Sequence, residues 1–277
     1  MRKTPLVLIL LFAIHFVSGQ TIEVLTYNIK YDNPKDSLNN WDSRKDFLIS
    51  QLRFYSPDIF GTQEGLVHQL KDIEQGLDNY AFFGVGRDYG DERGEFTAIF
   101  YDQTKFDVLK EATFWLSTTP EEPSKSWDAA LPRICTYGHF KLKKSGEEFF
   151  VFNTHFDHVG KVARKESAKL ILKKIKELNT KRLPVVLMGD FNLENSSGGI
   201  QWILKEMQDA HAEAGQNAHG PEGTFNGFNF TKPVNRRIDY IFVDGFETSK
   251  SGILSDSFDC RYPSDHFPVY AELYFEK

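Results

Sequence analysis

Eight side chains for which a β-strand has no use stand at or beside the ends of apolar runs. Asn28 follows "VLTY", Glu64 follows "FGTQ", His155 follows "FNT", and Asp190 and Asn192 come at the end of "VVLMGDFN"; "RIDY" adds Asp239, and "SDHFPV" adds Asp265 and His266. Polar groups at the ends of buried strands are where open α/β sheets build their sites. Asp190 and Asn192 are two apart, so on an extended chain they project to the same side. Singly, each reads as a turn or cap residue; eight in such positions ask for chemistry. Carboxylates, carboxamides and imidazoles together suit hydrolysis of a phosphate ester. That reaction builds charge on the phosphate oxygens, and a divalent ion with fixed donors stabilises it.

The stretch "NTHFDHVG" (153–160) poses a choice, because two histidines and an aspartate lie within four residues. One reading is a zinc hydrolase site of the metallo-β-lactamase type; the other makes His155 a phosphate ligand at a strand end. The zinc signature wants a histidine two residues before His155, but position 153 is Asn, and the other zinc ligands have no clear counterparts. His155 is therefore read as the phosphate histidine. Asp157 and His158 either line the pocket beyond it or cap the helix expected to begin near Lys161.

The elements that must hold these groups alternate along the chain. Strands are expected at 21–29, 58–64, 80–86, 95–101 and 106–116, with helices at 42–55, capped by Asp42 or Ser43, and at 65–77. The second half offers strands at 133–142 and 147–156 joined by the turn "KKSG". A helix over 161–178 follows, with Ala168, Ile171, Leu172, Ile175 and Leu178 at helical spacing, and then strands at 183–191, 237–243 and 267–275. Two runs of strands with helices between and outside them suggest two packed sheets covered by helices.

The pieces "LTYNI", "GTQE", "NTH", "GDFN", "RIDYIF" and "SDHFPV", in that order from Leu25 to Val269, resemble the endonuclease/exonuclease/phosphatase superfamily. Together with "FWLSTTPEEPSKSWDAALPRICTY", they are similar to an exported bacterial subgroup. The resemblance implies an α/β fold: a four-layer α/β sandwich, two packed mixed β-sheets flanked by helices, as in DNase I-like proteins. It also implies metal-assisted hydrolysis of a phosphate ester by in-line attack of water. Carried over, Glu64 is the principal Mg²⁺ ligand, helped by Asn28 and Asp265, an oxygen set that suits Mg²⁺, Mn²⁺ or Ca²⁺ and not zinc. Asp190 would orient or deprotonate the water, with Asn192 beside it. His155 and His266 would donate to the non-bridging oxygens, and Asp239 would fix the tautomer of His266.

Substrate-side candidates are less determined. Arg133 could clamp a phosphate or make a surface salt bridge, and Trp127 could stack on a sugar or base or plug its own loop. Phe225, Phe228 and Phe230 in "GTFNGFNF" either hold a substrate ring, with Phe228 chosen here, or anchor the loop. Asn33, Asn40, Trp41 and Arg44 could add another wall.

The first twenty residues, "MRKTPLVLILLFAIHFVSGQ", follow the plan of a secretory signal peptide with cleavage near Gly19, leaving one domain over 20–277. The apolar run is short for a membrane span, and no cysteine follows it to carry a lipid anchor. The expectation is a secreted or periplasmic monomer without a stable membrane anchor. Removing residues 1–19 takes Arg2 and Lys3 with it. The remaining 258 residues hold 31 Lys+Arg against 39 Asp+Glu, a formal charge of −8. That balance argues against a long polyanion held on a basic face, though bound cations could still serve an extracellular nuclease. The expected partner is a phosphate ester of a sugar, lipid headgroup, nucleotide or nucleic acid. A non-catalytic surface or glycan-binding module is the rival of another class. Cys135 and Cys260 either pair or stand as two separate buried thiols.

Overall fold

Long apolar runs must be covered on both faces, and the computed structural model, which describes residues 21–276, covers them by stacking four layers. The first half of the chain supplies β1 (Thr21–Asn28), α1 (Trp41–Tyr55), β2 (Ile59–Gln63), α2 (Val67–Gly76), β3 (Tyr80–Phe83) and β4 (Ile99–Asp102). There follow β5 (Phe106–Trp115), β6 (Ile134–Leu142), β7 (Glu148–His155), α3 (Lys161–Leu178), β8 (Val185–Asp190), α4 (Gly198–Ile203), β9 (Gln208–Asp209) and α5 (Ala210–Glu213). The chain closes with β10 (Ala218–His219), β11 (Asp239–Asp244), β12 (Phe246–Ile253) and β13 (Val269–Phe275). One sheet runs β10-β12-β13-β1-β2-β4-β3 and the other β5-β6-β7-β8-β11-β9. Both are mixed, with β1–β2 parallel in the first and β7–β8 parallel in the second.

Alternation along each strand sorts its side chains into separate cores. Ile22 and Val24 of β1 meet Val151, Val186, Met188 and Val243 between the sheets. Leu25 and Tyr27 turn outward to α1 and α2, and Phe152 and Leu187 turn outward to α3 and α4. Each buried side chain of this size contributes ~1.5–3 kcal/mol, so the layers hold their separation. The second sheet thus rests on α3, whose limits fall at the expected residues 161 and 178.

Polar groups of Asn153 cross the inner interface. Asn153 of β7 donates to the carbonyls of Thr62 and Ala98, at 2.9 and 2.8 Å, and accepts from Gln63 Nε2 at 2.6 Å. Gly61 leaves room for it, since a Cβ there would lie 2.6 Å from the Asn153 side chain. The asparagine that displaces a zinc-signature histidine is therefore a rivet between sheets.

Several local expectations shift. Asn40, not Asp42 or Ser43, caps α1, its Oδ1 accepting from Ser43 N at 3.0 Å; Asp42 sits in the first turn, where its charge meets the helix dipole. The strand expected at 80–86 stops at Phe83 and that expected at 95–101 is ordered as β4 only from Ile99, because residues 84–98 form a glycine-rich loop. Strand β12 went unread in "FETSKSGI", a mixed polar run that only its neighbours make a strand. Both cysteines are free; Cys135 is buried and Cys260 is exposed, which corrects the reading of two buried thiols. No described helix is long and apolar enough to cross a membrane, and the expected leader lies outside the described residues.

Candidate active site

Three neighbouring strands deliver one side chain each to the same rung. In register, His155 of β7 is paired with Asp190 of β8, and Asp190 with Asp239 of β11. Gly189 makes that approach feasible: it has φ 149°, and a Cβ would lie 2.0 Å from the carbonyl oxygen of Thr154. His266, just before β13, closes the group. Its Nδ1 is 2.9 Å from Asp239 Oδ2 and its Nε2 is 3.8 Å from Asp190 Oδ2. Beyond β8 the chain turns through Asn192 at φ 48°, a conformation asparagine tolerates. Its N–H donates to Asp190 Oδ1 at 2.8 Å, and its Nδ2 lies 3.2 Å from His155 Nε2.

The other sheet brings the acidic half. Asn28 at the end of β1 donates through Nδ2 to Glu64 Oε1 and to Asp190 Oδ2, both at 3.0 Å, and so ties the sheets together at the site. Glu64 is held at φ 64°, a strained conformation for glutamate that costs ~1–3 kcal/mol. Bonds from Asn28 and the Tyr31 N–H, at 3.2 Å, hold it there. Lys30 Nζ stands between two carboxylates, 3.3 Å from Glu64 Oε2 and 3.4 Å from Asp265 Oδ2.

Burial and charge set the protonation of these groups. Burial and the neighbouring Asp239 carboxylate push Asp190 up to about 7, against the pull of His266. Burial drags His266 down, but Asp239 and Asp190 outweigh it and lift it to about 10. His155 goes the other way: burial and the guanidinium groups of Arg133 and Arg87 hold it well below the usual imidazole range. The site thus pairs a cationic histidine with a neutral one around one carboxylate.

The residues fit a divalent cation. Glu64 and Asp265 are hard oxygen donors converging on a point that already attracts a positive charge, the Lys30 ammonium, and Asp265 Oδ1 is buried without a partner. Asp190, Asp239 and His266 also bring ligand atoms within 4.8 Å of one another, but His266 Nδ1 is already engaged by Asp239. The Glu64–Asp265 pair is therefore the better seat. Asn28, read from the sequence as a ligand, turns its amide nitrogen to Glu64 and Asp190, and its oxygen accepts from the Lys30 N–H at 3.1 Å. It is placed to bridge the carboxylates.

A cleft of ≈ 340 Å³ opens over this floor. Arg133 and His158 both line it, with Arg133 Nη2 2.9 Å from His158 Nδ1. Asp157 neither lines the cleft nor caps α3. Its carboxylate gathers the N–H groups of Ala130, Leu131, Val159 and Gly160, while Asp128 Oδ1 accepts from Ala163 N at 2.7 Å at the start of α3. Trp127 and Phe228 are not among the residues that line this cleft. Trp127 is 38% exposed, and the Phe228 ring lies 6.0 Å from Arg44. Phe225 takes the position at the cleft, its ring edge-on to His266 at 5.1 Å. Arg44 and Trp41 are buried braces: Arg44 donates to the carbonyls of Ile29, Lys30, Asn39 and Pro263, and Trp41 Nε1 donates to Asp72.

Sequence reading missed Lys30, Tyr31, Arg87, Glu95 and Arg236, all of which line the cleft. Lys30 had a signal, since it stands two residues after Asn28. Arg87 and Glu95 had a weaker one, the string "GRDYGDERGE" with more charges than a tight loop needs.

A family model described as the Endonuclease/Exonuclease/phosphatase family matches residues 25–266. Among solved structures, a mannosyl-6-phosphatase of Bacteroides thetaiotaomicron is 43% identical, with a TM-score of 0.89 over 92% of this chain and 100% of its own. An endonuclease/exonuclease/phosphatase family protein of the same organism is 42% identical, with a TM-score of 0.90 over 94% and 99%. Among curated proteins, an uncharacterised mimivirus protein is 30% identical over 57% of this chain and 62% of its own length. Human tyrosyl-DNA phosphodiesterase 2 is 25% identical over 92% of this chain and 69% of its own. The chain spans less than two thirds of the length of the first of these curated relatives.

Proposed function

Since the chain belongs to the endonuclease/exonuclease/phosphatase family, we propose that it is an exported, divalent-metal-dependent hydrolase of phosphate esters, with sugar phosphates as its foremost substrates. The observation that carries the reading is Asp190, a buried carboxylate poised near neutrality and ringed by Asn28, His155, Asn192 and His266. The likeness to a mannosyl-6-phosphatase at 43% identity supports the sugar phosphate, and the leader-like residues 1–19 support export.

Asp190 accepts the proton of the attacking water, a role that favours a group titrating near the working pH. The Asp239–His266 pair holds a positive charge beside it and aims Nε2 at the phosphate oxygens as charge builds there. Asn192 and His155, paired through Nδ2 and Nε2, face the same oxygens from the other side. Glu64 and Asp265 would hold Mg²⁺ or a similar ion, which when bound neutralises the phosphate and polarises its P–O bonds.

The test is hydrolysis of p-nitrophenyl phosphate, bis-p-nitrophenyl phosphate, mannose 6-phosphate and plasmid DNA with Mg²⁺, using Glu64→Ala as the blank. Phosphate release lost in the variant supports the reading. Silence with all four substrates under Mg²⁺, Mn²⁺ and Ca²⁺ would overturn it, and cleavage of the plasmid alone would make the protein a nuclease.

A further inference from the structure

One wall of the cleft carries an acid that phosphate chemistry does not explain. Glu95 lies in the loop between β3 and β4 and lines the cleft together with Arg87. Arg87 Nη1 and Nη2 donate to Glu95 Oε2 and Oε1 at 2.6 and 2.8 Å, and the Arg87 N–H donates to the Glu95 carbonyl at 3.0 Å. The fork of Arg87 is thus filled by a carboxylate and is not free to clamp a phosphate bidentately. Burial and the nearby Glu64 raise the cost of keeping Glu95 charged, against the pull of Arg87. A phosphoryl group placed against this wall would add a further repulsion.

The rest of the wall presents donors. Arg133 is 5% exposed and donates to His158 Nδ1, which leaves the proton of a neutral His158 on Nε2. The cleft lining thus offers a strong acceptor, Glu95, together with the donors Arg133 and His158. A hydroxyl group is both donor and acceptor, so a ring bearing several hydroxyls satisfies such a wall, whereas a phosphate or an alkyl chain does not.

We infer that Glu95, held by Arg87, is the specificity-determining residue that reads the hydroxyl groups of a sugar leaving group and turns away a second phosphate. The inference rests on the reading of the chain as a phosphate-ester hydrolase and names the residues that choose its alcohol. Glu95 acts here as a binding residue with no part in the chemical step.

The experiment compares mannose 6-phosphate with n-hexyl phosphate, two esters of primary alcohols of which only the first carries hydroxyls to read. In the unaltered protein kcat/KM should favour mannose 6-phosphate. Glu95→Gln should lower that preference roughly tenfold or more, the worth of one hydrogen bond to a charged group. Its main effect should fall on KM for the sugar ester. An equal loss with both esters would mean that Glu95 only braces Arg87 and would overturn the inference. So would an unaltered protein that hydrolyses hexyl phosphate as well as it does mannose 6-phosphate, a result that leaves the hydrolase reading standing. If Glu95→Gln does not fold, inhibition of p-nitrophenyl phosphate hydrolysis by free mannose decides. Competitive inhibition by mannose, absent with 1-hexanol, supports the subsite, and no difference between the two overturns it.

Discussion

The floor and the wall of the cleft are built by different means. The floor comes from strand ends: His155, Asp190 and Asp239 occupy one rung of β7, β8 and β11, and Asn28 ends β1, so the sheet ladder fixes their spacing. The wall comes from loops, and its groups are fixed by pairing with one another, Arg87 with Glu95 and Arg133 with His158. A group placed by a ladder moves only if the sheet moves, which suits reacting atoms that tolerate little displacement. A group placed by a neighbour can be exchanged along with that neighbour, which suits a surface that selects the substrate. The two parts should therefore respond differently to substitution.

The largest effect belongs to the floor. Asp190→Asn should lower kcat by ~10³-fold or more with every substrate, as expected for loss of a general base, while circular dichroism and melting stay close to those of the parent. His266→Ala should cost ~10²–10³-fold in the same assay, since it removes a charge-stabilising donor without emptying the metal seat. A uniform loss in both variants upholds the comparison; a loss confined to one substrate breaks it. Asn153→Ala should act through stability. Removing the rivet takes away three buried hydrogen bonds, those to the carbonyls of Thr62 and Ala98 and that from Gln63 Nε2, which should cost ~2–3 kcal/mol in urea unfolding. Undiminished stability would show that the sheets do not depend on it.

The wall should give smaller, substrate-dependent effects. Arg133→Ala should raise KM by ~10-fold for some esters and little for others; an equal change for all would make it part of the floor. Trp127→Ala, outside the lining, should change turnover by less than about twofold, and a larger change would extend the wall onto its loop.

The same division governs what could be read from sequence. A strand end is visible because an apolar run stops at a polar residue, and the six motifs mark the floor almost residue by residue. The wall groups sit in loops, where charge is ordinary and spacing carries no period. Arg87 and Glu95 lie eight residues apart across a turn and meet only because residues 84–98 fold back on themselves. The aromatic loop shows the limit best. "FNGFNF" offers three rings, and only backbone geometry, with Phe225 bridged to His266 and Phe228 at φ 56°, decides which faces the cleft. The additional strand β12 was hidden for a related reason, since its polar residues gain a strand's form by pairing with β13 and β10.

The pairing of β1 with β13 joins Thr21 to Tyr274. Closing that contact draws together segments more than 250 residues apart, a separation that slows folding and comes late in it. β1 is therefore flanked on both sides only once β13 has paired with it, and His266, just before β13, comes to Asp239 and Asp190 along with that strand. Turnover in this protein is consequently a property of the finished molecule, and its first appearance during refolding would time the completion of the fold.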